Sequence, residues 1–119
     1  MALLVEEIVF DCANPRRVAA FWAAALAYEA VEDKGDWIVL HAAHGAGPVL
    51  AFDTVPEPKV VKNRVHLDLT PAAGGTMEAE VARLEGLGGT AVRRVTNSPD
   101  SVHTVMRDPE GNEFCVLRP

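Results

Sequence analysis

The chain has 119 residues, 49% hydrophobic and 24% charged, which suits one globular domain whose small core favours pairing as a homodimer. A formal net charge of −6 argues against a nucleic-acid backbone as partner, because that binding needs clustered Lys and Arg, and the pairs Arg16–Arg17 and Arg93–Arg94 make no patch. No run reaches the roughly 20 apolar residues that cross a bilayer; Glu6 and Glu7 break the apolar N-terminus and only Cys12 and Cys115 carry thiols, so the expectation is a cytoplasmic, membrane-free protein with reduced cysteines.

In chain order, residues 3–12 (LLVEEIVFDC) form an apolar, β-branched run that predicts a strand. Asn14 followed by Pro15 sets a capping side chain before the residue preferred at the first helical position. RRVAAFWAAALAY (16–28) then places Val18, Phe21, Trp22 and Leu26 at helical spacing. WIVLHA (37–42) and PVLAFDTV (48–55) read as short strands around the turn His44-Gly45-Ala46-Gly47. VPEPKVVKN (55–63), with two prolines and alternating charge, is a connector. RVHLDLTP (64–71) predicts a strand, and Thr76 caps the helix MEAEVARLEGL (77–87), which Gly88 and Gly89 end. TAVRRV (90–95), SVHTVMR (101–107) and EFCVLR (113–118) are three further strands, the last two joined by the turn Asp108-Pro109-Glu110-Gly111-Asn112.

The two halves can be laid over each other. Asp11 matches Asp68, and Leu26-Ala27-Tyr28-Glu29-Ala30-Val31 matches Leu87-Gly88-Gly89-Thr90-Ala91-Val92, the second half carrying a longer strand-to-helix loop at Ala72-Ala73-Gly74-Gly75. The expected fold is therefore α+β: two βαβββ modules in tandem, their mixed sheets curled around a cavity with the helices outside. Residues 1–119 make a single domain, with module one at about 1–56, the connector at about 55–63 and module two at about 64–119. Strand alternation turns Asp11, Trp37, Asp53, His66, Asp68 and Cys115 toward the cavity and sends Trp22 and Phe52 to the helix side. Cys12 has the opposite parity to Asp11, so no disulfide with Cys115 is expected.

Four stretches, FDCANPRRVAAFWAAALAYEAV, KNRVHLDLTP, RLEGLGGTAV and the closing DPEGNEFCVL, resemble the vicinal-oxygen-chelate superfamily, in particular its small glyoxalase-like domains. The resemblance covers nearly the whole chain and implies the same tandem-module fold. It extends to lyases, isomerases, ring-cleaving dioxygenases and metal-free drug-binding proteins, so it leaves the activity open. It implies metal-ligand positions at Val9, Ala51 (or Asp53, two residues on), His66 and Cys115. Val9 and Ala51 have no donor atom, and Cys115 stands where metal-binding members carry Glu. His66 would thus hold a metal only if one is present.

The resulting expectation is a small-molecule-binding protein of the glyoxalase kind without a complete metal site. His66 is the candidate general base, with Asp68 beside it to orient the ring. Asp11, Trp37, Asp53, Arg64, His103 and Cys115 are candidate ligand-binding residues; the histidines His41 and His44 read as surface or turn residues. No cofactor is the first expectation and a divalent Zn, Ni, Mn or Fe ion the alternative, which would make the protein a metal-dependent lyase, isomerase or dioxygenase. A second alternative is a drug-sequestering protein of the bleomycin-resistance type.

Overall fold

The side-chain oxygen of Asn14 accepts from the Arg17 N–H at 3.3 Å and Pro15 takes the first helical position, so the first helix starts where its capping pair requires. In this computed structural model, which describes residues 1–119, that helix is α1 (Pro15–Leu26). It lies between β1 (Ile8–Cys12) and the strands β2 (Tyr28–Asp33), β3 (Trp37–Ala42) and β4 (Leu50–Thr54). The order recurs as β5 (Asp68–Leu69), α2 (Met77–Gly86), β6 (Thr90–Ser98), β7 (Ser101–Arg107) and β8 (Glu113–Leu117). The chain divides into two units, Met1–Pro58 and Lys59–Pro119. Each is one mixed sheet with one helix, in the orders β1-β4-β3-β2 and β5-β8-β7-β6, whose first pair is parallel and the rest antiparallel. The α+β class and the tandem βαβββ modules are as the duplication predicts.

Each sheet has a face under its helix and a face free of it. In the first unit Phe10 stacks between Trp22 of α1 and Phe52 of β4, with ring centroids 5.5 and 5.1 Å apart, and Trp22 and Phe52 are fully buried. Strand parity had assigned both to this side. In the second unit α2 buries Met77 and Leu84 against Thr104, Met106, Phe114 and Val116, with the Thr104 hydroxyl 3.5 Å from the Met77 sulfur. Alternation then leaves the other face of each sheet to carry Asp11, Asp53 and Trp37 in one unit and Asp68, Cys115 and Val105 in the other.

Several boundaries differ from the sequence reading; β6, for one, runs three residues beyond Val95, to Ser98. Strand β1 begins at Ile8, because Met1–Val5 lie exposed without a neighbouring strand. Tyr28, read as the end of the helix, starts β2 instead. The strand expected over 64–71 shrinks to Asp68–Leu69. There Asn63 gives its N–H to the Glu113 carboxylate (3.0 Å) and its side-chain amide to the Glu113 carbonyl (3.1 Å), so a side chain replaces the ladder beside β8.

Helix α1 ends on Ala27 at φ 54°, the left-handed conformation that its counterpart Gly88 adopts at φ 110°. A Cβ in that region costs about 1–2 kcal/mol, partly offset by glycine's greater freedom in the unfolded chain. Ala27→Gly should therefore raise the stability by about 0.5 kcal/mol in denaturant unfolding; a loss would mean that the Ala27 methyl packs more than its exposure suggests.

Candidate functional site

The helix-free face of the second sheet brings together an imidazole, a carboxylate and a thiol. Asp68 on β5 pairs with Cys115 on β8, and paired residues project to the same face. Just ahead of β5, His66 places Nε2 3.2 Å from Asp68 Oδ1. One donor atom from each of His66, Asp68 and Cys115 falls within 4.8 Å of the others. The imidazole and the carboxylate are about half exposed, whereas Cys115 is buried. Burial pushes the Cys115 thiol up, and so do the Asp68 charge and the hydrogen bond that Asp68 accepts from it; the Lys62 and Arg93 charges pull the other way. The thiol is therefore held protonated at neutral pH.

The register explains why Asp68 joins the cluster. In the first unit Asp11 pairs with Asp53 and Val9 with Ala51. Asp68, the counterpart of Asp11, pairs instead with Cys115, the counterpart of Ala51. Strand β5 is thus slid two residues along β8, a slip that preserves the face on which each side chain lies. It places the carboxylate, rather than His66, directly opposite the thiol.

The segment leading into this face is fastened by Glu113. Its carboxylate meets Lys59 Nζ at 3.0 Å, Asn63 N at 3.0 Å and Arg107 Nε at 3.8 Å, and the Glu113 side chain is only 10% exposed. Burial alone would raise this carboxyl, but the Asn63 N–H and the Lys59 ammonium overcome it and hold the group at about 2. Lys59 also donates to the Val61 carbonyl. The connector is tied to β8 just before the residues that deliver His66.

A family model described as a glyoxalase-like domain matches residues 7–117. The chain belongs to the glyoxalase-like domain family. Solved structures agree on the fold. A glyoxalase/bleomycin resistance protein/dioxygenase family enzyme from Burkholderia phytofirmans PsJN superposes with TM-score 0.78 at 13% identity, covering 97% of this chain and 98% of that one. A mutant of the fosfomycin resistance protein FosX from Listeria monocytogenes, complexed with Mn(II) and 1S,2S-dihydroxypropylphosphonic acid, gives TM-score 0.78 at 12% identity, with coverages of 98% and 90%. A glyoxalase-related enzyme from Fulvimarina pelagi gives 0.68 at 18% identity, with coverages of 96% and 88%. No curated protein matches the chain.

The residues singled out in the sequence of this glyoxalase-like chain fall into two groups. His66, Asp68 and Cys115 meet in the second unit, and His103 lies on the same face, paired with Leu117. Asp11, Asp53 and Trp37 form one ladder row on the helix-free face of the first sheet, where the Trp37 indole N–H donates to Glu32 at 3.3 Å. Arg64 is exposed beside the second group, while His41 and His44 are exposed in the first unit. Glu113 was missed: alternation shows which face a side chain takes, and its grip on Asn63 is a contact 50 residues apart in sequence.

The ligand positions that the superfamily implies are empty of donors at Val9 and Ala51, and the donors that converge are those of the second unit. There the slid register adds Asp68 to His66 and Cys115, giving the three protein donors that a catalytic zinc keeps. A mixed imidazole, carboxylate and thiolate set suits a borderline-soft divalent ion better than Mg²⁺ or Ca²⁺. The donors fit such an ion in kind and number, provided the Cys115 proton leaves.

Asp68→Asn should make that proton easier to remove, because it deletes the neighbouring negative charge and weakens the acceptor of the S–H bond. In a Cys12→Ser background, alkylation of Cys115 by iodoacetamide at pH 8 should speed up several-fold. An unchanged rate would show that Asp68 does not govern the thiol.

Proposed function

We propose that this glyoxalase-like domain binds a small organic molecule on the helix-free face of its second sheet, at His66, Asp68 and Cys115. The observation that carries the reading is the meeting of these three side chains around one carboxylate. Asp68 lies between Cys115 and His66 and can orient the imidazole, whose ring can exchange a hydrogen bond or a proton with a carbonyl or hydroxyl of the ligand. Val105, beside Cys115 in the same row, adds an apolar floor.

Phe114, buried on the helix side, is the only Phe, Tyr or Trp among residues 59–119, so this face offers no Phe, Tyr or Trp stacking surface of the drug-sequestering kind. The exposed Val60, Val61 and Val65 support a homodimer, which light scattering would read as twice the 12.8 kDa chain mass. No helix is long and apolar enough to cross a membrane. The free thiols of Cys12 and Cys115 support a cytoplasmic site of action.

A melting-temperature screen of small organic molecules against the wild type and a His66→Ala/Cys115→Ser double variant tests the reading. Compounds that stabilise the wild type should lose their effect in the double variant; retained stabilisation would move the site elsewhere. The second reading, a metal-dependent lyase, isomerase or dioxygenase, is favoured by the three converging donors. Elemental analysis of protein purified without an affinity tag decides it: a stoichiometric transition metal that His66→Ala removes would replace the metal-free reading.

A further inference from the structure

Six of the eleven basic side chains are held by carboxylates. Lys62, Arg64 and Arg93 hold neither a carboxylate nor a carbonyl, and in a chain of net charge −6 partners are not scarce. Arg93 is also aimed by the fold. Strand β6 carries a bulge between Ala91 and Arg93, so Ala91 pairs with the buried Met106 of the helix side, whereas Arg93 pairs with Val105 on the opposite face. Val105 pairs in turn with Cys115, and Cys115 with Asp68, which makes Arg93, Val105, Cys115 and Asp68 one continuous row. The first unit has the same bulge, between Ala30 and Glu32, and there Glu32 is occupied by Lys34 at 3.0 Å and by the Trp37 indole. The bulge turns a charged side chain onto this face in both units, and only the second unit leaves that charge without a partner.

We propose that Arg93 binds the anionic group of the ligand, so that the site takes small organic anions: a carboxylate or phosphonate at one end and a hydroxyl or carbonyl oxygen at the other. This rests on the reading that the His66–Asp68–Cys115 face is the binding site. Two strand spacings, about 10 Å, separate the Arg93 and Cys115 backbones, and the arginine side chain spans part of that distance, which leaves room for a ligand of a few carbons over Val105. Its oxygen function then meets His66 and Asp68. Lys62 and Arg93 are also the cations whose fields reach the Cys115 thiol. A guanidinium presents its donors as a fork that matches the oxygens of either anion, and removing such a charged pair typically weakens binding about tenfold or more.

The test titrates the protein with 4-hydroxybutyrate, 3-hydroxypropylphosphonate and the neutral 1,4-butanediol, followed by the Arg93 Nε–H and backbone amide resonances. Both anions should saturate, shifting Arg93, Asp68 and Cys115, and should bind about tenfold or more tightly than the diol. The tighter of the two anions identifies the head group as carboxylate or phosphonate. Arg93→Gln should abolish that preference without changing the melting temperature, since the side chain is exposed and unpaired. Equal binding of diol and anions at His66 and Cys115, or an anion preference that survives Arg93→Gln, would overturn the proposal while leaving the binding face in place. No shift on this face from any of the three would sink both.

Discussion

Asp108→Ala should cost about 3 kcal/mol and lower Tm by about 10 °C. The Asp108 carboxylate is buried in the turn between β7 and β8, at 3% exposure. Its Oδ1 accepts from the N–H groups of Glu110 (2.9 Å) and Asn112 (3.0 Å), and its Oδ2 from the Asn112 side-chain amide (2.9 Å). The backbone closes the same turn, with Asp108 N donating to Asn112 O and Gly111 N to Asp108 O, both at 2.9 Å. Gly111, at φ 87°, supplies the left-handed residue. Alanine would leave these donors without an acceptor in a part-buried turn, and each stranded group costs about 1–3 kcal/mol. Asp108→Asn keeps one acceptor oxygen and should lose less than half as much. This gives the closing DPEGN stretch a structural function: it sets the β7–β8 register that puts Cys115 opposite both Val105 and Asp68. A loss under about 1 kcal/mol for the alanine variant would contradict that assignment.

Glu113→Gln is expected to cost about 2 kcal/mol at pH 7, with an effect that disappears in acid. The folded chain holds this carboxyl at about 2, below its ordinary value. A depressed carboxyl stabilises the fold fully above its unfolded pKa of about 4.3, and the contribution is lost as pH falls from there through about 2. The full shift would be worth somewhat more, but the Lys59 ammonium that pairs with it is partly exposed and its share is screened. Denaturant unfolding of both proteins between pH 7 and pH 2 should therefore show curves that converge as the pH drops. A constant gap would mean that glutamine fails through packing rather than charge. Because Glu113 holds Asn63 and Lys59, the variant should also loosen the approach to His66, readable as faster amide exchange at 63–67.

Much of the fold was legible. Helix α1 announces itself through Asn14, Pro15 and the spacing of Val18, Phe21 and Trp22, and β3, β7 and β8 through apolar runs bounded by turns. Strand β2 was not visible in its own composition, since Glu29, Glu32 and Asp33 dilute it; only the match of Tyr28–Val31 to the second half pointed to a third strand. Strand β5 was overread because Val65, Leu67 and Leu69 alternate as a strand should, yet Val65 is exposed and Asn63 takes up the backbone groups of its neighbour.

The candidate site was legible by face and not by register. Alternation placed His66, Asp68 and Cys115 on one side of the sheet, but the two-residue slide of β5 is a cooperative outcome of strand, turn and anchor that no local pattern records. It changes the donor set from two residues to three. The aim of Arg93 depends on one extra residue in β6, and a bulge inverts strand parity without leaving a signature in hydropathy.

The central claim, that His66, Asp68 and Cys115 form the binding face, is tested most directly by amide shift mapping with any compound that raises the melting temperature of the wild type. The largest shifts should centre on Leu67, Asp68 and Phe114–Val116 and vanish in the His66→Ala/Cys115→Ser double variant. Shifts centred on the first unit, or unchanged in that variant, would contradict it.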